Sequence, residues 1–207
     1  PAKIEKGQTS LILSNGDSVP IQVFGKHILQ NINGARLVCL AAGITEEEFY
    51  THIQTFSGAA RRLELIAGKD DRALFKDFAH SPSKLKATTE AVREQFPGRK
   101  LIACMELHTF SSLNEQFLKE YKGAINQADV AYVYFNPHTV AHKKLKPISS
   151  AQVAEAFGRS DLQVFNDSAL LLEALKQHQW ENTNLLMMSS GNFDGIRIEE
   201  LPELLRF

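Results

Sequence analysis

Four stretches of this sequence set titratable residues directly behind short apolar runs: DFAHSP (77–82), MELHTFSS (105–112), FNPH (135–138) and SSGNFDG (189–195). In DFAHSP an Asp, a His three residues on and a Pro that can open a helix bring together a carboxylate, an imidazole and free helix N–H groups, a set suited to a ribose or a phosphate. The plainer alternative is that Asp77 and Ser81 cap the helix and His80 is solvated. The pair Arg61-Arg62 offers a guanidinium that can grip an anion, or else a surface ion pair. His27 and Asn31 stand four apart, so on a helix they share one face, where an imidazole and a carboxamide can stack on and hydrogen-bond a heterocycle. Gly191 and Gly195 bracket a polar loop whose backbone N–H groups can receive an anionic or peptide group.

Other chemistries lose support. The chain contains no G-x-x-x-x-G-K-[ST], G-x-G-x-x-G or G-x-S-x-G run, the signatures of a phosphate-cradling loop, a dinucleotide site and a nucleophile elbow. It has no H-E-x-x-H, and its two cysteines, Cys39 and Cys104, lie far apart inside apolar runs, as buried free thiols do; no metal site is expected. A formal net charge of -1 leaves no basic footprint for phosphate backbones, so nucleic acid is not an expected partner. No apolar run reaches the roughly 18 to 20 residues that span a bilayer, and the start, PAKIEKGQTS, has no apolar core of a secretion signal. A cytoplasmic protein with no membrane partner is expected. The chain begins with Pro1 rather than Met, which suggests a trimmed or truncated chain.

The elements that must position these residues follow from the hydrophobic pattern. With 43% hydrophobic and 23% charged residues, the chain has the composition of a packed globule. SLIL, the turn SNGDS and VPIQVF read as a hairpin with Asn15-Gly16 as its φ > 0 pair. A helix is predicted from His27 to about Ala42 with Gly43 as its stop, and a second over TEEEFYTHIQTF, opened by a Thr45/Glu48 capping box. After Gly58 short apolar runs alternate with amphipathic segments. The strand candidates are 63–67, 73–79, 100–106, 130–135, 162–165 and 184–189; the helix candidates are 83–95, 113–127, 149–157, 167–178 and 198–206. This is an α/β pattern, which predicts a Rossmann-like, doubly wound, mostly parallel six-stranded sheet covered on both faces. A boundary near 58 separates residues 1–58, too small to own a core, from residues 59–207. In such a sheet ligands collect beyond the carboxyl ends of the strands, where all four polar stretches fall.

Taken in order, these pieces resemble the C-terminal part of a Mur ligase, the family of ATP-dependent enzymes that join amino acids or peptides to the UDP-N-acetylmuramate precursor of peptidoglycan. GKHILQNINGARLVCLAAGI is similar to the family's G-x-H-N-x-x-N-x-x-A-A helix, with Ile28 in place of the first Asn; FSGAARRLELI resembles its F-x-G-x-x-R-R-F/L-E segment; DFAHSPSKLKATTEAV resembles D-Y/F-A/G-H-x-P-x-x-x-x-A-T. The resemblance implies that Arg62 contacts the phosphates of ATP, that Asp77 and His80 belong to the nucleotide site, and that His27 and Asn31 meet the adenine. It implies residues 1–58 to be the end of the central ATP-binding domain and 59–207 the C-terminal domain. The ending LLMMSSGNFDGI is similar to that of the branch joining L-alanyl-γ-D-glutamyl-meso-diaminopimelate to UDP-N-acetylmuramate. MELHTFSSL departs from both that branch and the alanine-adding one in having no arginine. His108, Thr109, Ser112 and Asn192 are the candidates for contacts to the incoming amino substrate. The implied chemistry is attack of a carboxylate on ATP to give an acyl phosphate, followed by displacement of phosphate by an amine, with Mg²⁺ ligands and the phosphate-gripping loop in a preceding part of the protein. The 207 residues alone are therefore expected to be inactive. The alternatives are an alanine-adding or folylpolyglutamate synthase-type ligase, and a non-catalytic module that binds a nucleotide or peptide.

Overall fold

The computed structural model describes residues 1–207. It opens with a three-stranded antiparallel meander, β1 (Ala2–Glu5), β2 (Gln8–Ile12) and β3 (Ser18–Ile21). Lys6 and Gly7, at φ 47° and 79°, make the tight first turn. The expected hairpin is β2–β3, but β1 is an addition: all four of its residues are exposed, so no apolar alternation marks it. In the second turn only Gly16 takes a positive φ, 91°; Asn15 instead accepts a hydrogen bond from the Asp17 N–H at 3.0 Å, which corrects the expected pair. Helix α1 (Lys26–Ala41) follows Gly25, and α2 (Glu46–Ile53) starts from Thr45 and Glu48 in the predicted reciprocal cap. α2 stops short of the expected Phe56. Only Ile21, Val23, Ile32 and Phe49 form a buried cluster here, while Leu37 and Val38 of α1 stand in solvent.

This small unit docks on the larger one through Phe24, whose ring meets Phe75 and Phe96 edge-on, and through Gln95, which accepts from Thr9 Oγ1 and donates to the Gly7 carbonyl.

The larger unit is the expected six-stranded sheet, with every predicted strand present: β4 (Glu64–Lys69), β5 (Arg72–Asp77), β6 (Lys100–Glu106), β7 (Val130–Tyr134), β8 (Gln163–Phe165) and β9 (Thr183–Met188), in the order β4-β5-β9-β6-β7-β8. All neighbours are parallel except β4 and β5, which are joined by a tight hairpin with a bulge between Leu65 and Ala67. Along the strands side chains alternate between two cores. Phe75, Ala103 and Leu186 face a layer built by α3 (Pro82–Gln95), α4 (Glu115–Leu118), α5 (Pro137–His142) and α6 (Ser150–Phe157). Leu74, Ile102 and Leu185 face α7 (Ser168–Lys176) and α8 (Leu201–Leu204).

Two helices differ from expectation. The segment 113–127 is one turn of α4, capped by Asn114, running into a 3-10 turn at Lys119–Tyr121, and Gly123 at φ 75° then breaks it. The segment 198–206 is likewise a 3-10 turn, Ile198–Glu200, leading into α8. Helix α5 is unforeseen: Asn136 accepts from the His138 N–H at 2.8 Å and Pro137 begins the turn.

Central strand β9 decides where a site can form. β5 and β6 both lead into elements on the first face, whereas β9 leads to Phe193 and Ile198 in the second core. The loops therefore part on both sides of β9, leaving a crevice at each junction.

Candidate functional site

On the β5 side the crevice is organised by Asp77. Its carboxylate accepts the backbone N–H groups of Leu63 (2.8 Å) and Ala79 (2.7 Å) and the Thr88 hydroxyl at 3.4 Å, and the residue is 5% exposed. Burial pushes its acid strength down, raising the pKa above the usual carboxylate value against the pull of these N–H groups and of His27 and Arg62. Asp77 thus clasps the strap 61–63 to the strand end. It does not cap α3, and neither does Ser81, whose hydroxyl makes no capping bond.

The strap itself is unusual in having two left-handed residues, Arg61 at φ 59° and Leu63 at φ 46°, on either side of Arg62. Arg61 is held at both backbone groups: its N–H donates to Glu64 and its carbonyl accepts from the Phe78 N–H at 2.9 Å. The adjacent arginines consequently diverge. The Arg62 guanidinium stands 5.6 Å from the Phe78 ring centre, and that ring meets His80 edge-on at 5.3 Å. His80 is fixed by contacts from Nδ1 to the Phe78 carbonyl (2.9 Å) and from Tyr121 Oη to its own carbonyl (2.6 Å). His27, half-buried at the start of α1, lies within electrostatic reach of Asp77 and Arg62, and burial lowers its pKa. Arg62, Asp77, His80 and His27 are therefore gathered at the junction of the two units. Asn31 lies one turn along α1 from His27 and is exposed.

On the other side of β9 the organiser is Glu106, 2% exposed. Ser189 Oγ donates to Glu106 Oε2 and the Phe193 N–H reaches the same oxygen at 2.8 Å. The Gly191 N–H donates to Ser189 Oγ at 2.6 Å, and His108 Nδ1 lies 3.5 Å from Glu106 Oε1. Gly191 fits because it has no side chain: a Cβ there would sit 2.8 Å from Glu106 Oε2 and from the His108 ring. Phe193 and Asp194, at φ 50° and 55°, complete a tightly wound loop. Beneath it the Tyr134 hydroxyl is buried without a partner, its pKa pushed up to about 12 by burial and by the carboxylates of Asp194 and Glu106.

The remaining candidates divide. Ser112 is fully buried, and its hydroxyl and N–H are engaged with Thr109, whose own hydroxyl binds back at 2.9 Å. This pair shapes the turn before α4; Ser112 is not open to a ligand. His108 is half-buried beside Glu106, and Asn192 is exposed on the β9 loop, where it lines a cleft of about 280 Å³ with Arg61, Lys76, Asp77, Arg197 and Glu199. Glu106, Ser189 and Arg61 acquire their roles only in three dimensions. The sequence marks them as polar strand ends or one of two arginines; the neighbouring of β6 and β9, 83 residues apart at Glu106 and Ser189, is in no local pattern. His138 and His142 share a face of α5, and no group of three His, Cys, Asp or Glu side chains is placed to hold a metal ion.

Residues 61–191 match the family model described as Mur ligase, glutamate ligase domain. The UDP-N-acetylmuramate–L-alanine ligase of Chlorobaculum parvum is 28% identical over 91% of this chain and 41% of its own length. Among solved structures, the UDP-N-acetylmuramate-alanine ligase MurC of Thermotoga maritima superposes with a TM-score of 0.72 at 14% identity, covering 94% of this chain and 42% of that one. A murein peptide ligase from Psychrobacter arcticus superposes with a TM-score of 0.62 at 20% identity, covering 100% and 44%. At these identities the two structures speak for the fold. The chain spans about two fifths of the length of the curated relatives it matches.

Proposed function

This chain belongs to the Mur ligase family through its glutamate ligase domain, and on that premise we propose that it forms one wall of the nucleotide site of an ATP-dependent, amide-bond-forming ligase of peptidoglycan precursors. In this reading residues 1–58 are the end of the central domain and 59–207 the C-terminal domain. The observation that carries the reading is the junction cluster, in which the exposed Arg62 guanidinium, free of any ion pair, stands beside buried Asp77 and half-buried His27 where the two units meet. A free cation fixed next to a carboxylate that has two N–H groups on it fits a polyphosphate and a ribose.

The roles follow from position. Arg62 would stabilise charge on the transferring phosphoryl group, Asp77 would hold the ribose edge or its waters, and His27, kept neutral by burial, would lie against the base. Asn31 would reach the base only from its exposed place on the helix. No three His, Cys, Asp or Glu side chains gather here to hold a Mg²⁺ ion, and its ligands would lie in other parts of the protein. His108 and Asn192 border the crevices beside β9, where an incoming amine would approach. The substrates would be UDP-N-acetylmuramate and an amino acid or peptide.

For the amine, the ending MSSGNFDGI supports the tripeptide L-alanyl-γ-D-glutamyl-meso-diaminopimelate. L-Alanine is the second reading, favoured by the names of the sequence relatives. Ligation assays on the whole protein with ATP and UDP-N-acetylmuramate, offering the tripeptide in one arm and L-alanine in the other, separate the two. Absence of turnover with either, in a protein that binds ATP, would leave the non-catalytic alternative.

A further inference from the structure

The turn after β6 and the segment after β7 meet on the surface, outside both crevices. The turn 109–113 is closed by the Leu113 N–H on the Thr109 carbonyl at 3.2 Å and by the Ser112 N–H on Thr109 Oγ1 at 3.1 Å, with Leu113 fully buried. Phe110, at the tip, is thereby held outward with 60% of its surface exposed. Facing it, Val140 and Leu145 pin α5 and the residues behind it to the first core. Lys144 and Lys146 are left in solvent, and Lys143 Nζ sits over the Phe110 ring, 4.2 Å from its centre. None of these three lysines has an ion pair, whereas Arg93, Arg159 and Lys176 are each matched to a carboxylate. No acidic residue occurs between Asp129 and Glu155, nor between Glu106 and Glu115. In a chain of net charge -1 this is a local excess of one sign beside an exposed ring. Such a patch is complementary to an anionic surface. A peptide partner would need a groove for its side chains, and none of the main clefts borders Phe110 or the lysines. A bilayer needs no groove: the ring enters the headgroup layer while the lysine stems lie along it and their ammonium heads stay at the phosphates.

We propose that Phe110 with Lys143, Lys144 and Lys146 is a docking patch for an anionic phospholipid surface. No helix is long and apolar enough to cross a membrane, so the contact is peripheral. It departs from the expectation of no membrane partner, which concerned spanning and not surface contact. Each lysine near such a surface strengthens partition about fivefold, so the three together give about a hundredfold. One ring and three charges make a reversible contact. The proposal does not depend on the nucleotide reading, because β9 separates the end of β5, where the junction cluster lies, from β6.

The 207-residue chain is floated with vesicles of phosphatidylcholine alone or with roughly one third phosphatidylglycerol. Binding is expected only to the anionic vesicles, and raising the salt from about 0.1 M to about 0.5 M should weaken it about tenfold. Replacing Lys143, Lys144 and Lys146 together by Ala should weaken it about a hundredfold, while Lys3→Ala with Lys6→Ala stays within about twofold of wild type. Urea midpoints equal to wild type show that these exposed substitutions leave the fold intact. Phe110→Trp supplies a reporter, since Trp180 is buried; its emission should shift to the blue on anionic vesicles and be quenched by brominated lipid. Equal binding to neutral vesicles, wild-type binding by the triple lysine variant, or vesicle binding without a shift in Phe110→Trp would each overturn the proposal. The same blue shift on adding poly-L-glutamate would overturn it in favour of an acidic protein segment.

Discussion

Two buried carboxylates flank the same strand and are used in opposite ways. Asp77, at the end of β5, is met by backbone N–H groups and has an exposed cation nearby; Glu106, at the end of β6, is met by a hydroxyl and an N–H of a loop that it shapes. Ser189 links the two strand ends, donating its N–H to the main-chain carbonyl of Asp77 at 3.0 Å and its hydroxyl to the Glu106 carboxylate. The difference is between a clasp that leaves a charged face open to a ligand and a clasp that closes a loop on itself. Stability should therefore concentrate at Glu106 and ligand affinity at the junction.

The strongest way to break that contrast is Glu106→Ala, which strands Ser189 and the Phe193 N–H in a dry site. A loss of about 3 kcal/mol in urea unfolding is expected, and a loss below 1 kcal/mol would show that the loop holds itself. Gly191→Ala presses a methyl against the same carboxylate and the His108 ring. It should cost about 2 kcal/mol, with amide shifts concentrated in residues 189–195.

Asp77→Asn is milder, about 1 kcal/mol near neutral pH. Because burial raises the Asp77 pKa, the folded state binds that proton more tightly than the unfolded chain does. The group's stabilisation is then full below the unfolded pKa of about 3.9 and is lost as pH rises through the folded value. The cost of Asp77→Asn should accordingly shrink between pH 4 and pH 7; a cost that grew would mean the Leu63 and Ala79 N–H groups outweigh burial. Arg62→Ala closes the series. It should change stability by less than about 0.5 kcal/mol, since the side chain is exposed, yet weaken ATP binding about tenfold.

The sequence makes legible what is carried by local pattern. All six main strands, the Thr45/Glu48 cap and the crevice-edge position of Asp77 follow from alternation, caps and the strand-end rule. It hides what depends on strand order. β9 is the last strand in the chain and lies third in the sheet, so the Glu106–Ser189 contact and the β5/β9 cleft arise from a pairing that periodicity does not encode. Ser112 illustrates a second limit. A hydroxyl at a strand end looks the same in sequence whether it faces solvent or, as here, closes an i, i+3 turn and disappears into the core. β1 and α5 escape for a third reason: each is fixed by a turn or a cap and neither carries a continuous apolar stripe.

The two margins of the main sheet are shaped against growth. β4 runs counter to the rest and is bulged between Leu65 and Ala67, and β8 offers only three residues. A second molecule arriving edge to edge finds a kinked template on one side and a stub on the other, which disfavours extension of the sheet past the exposed Leu65.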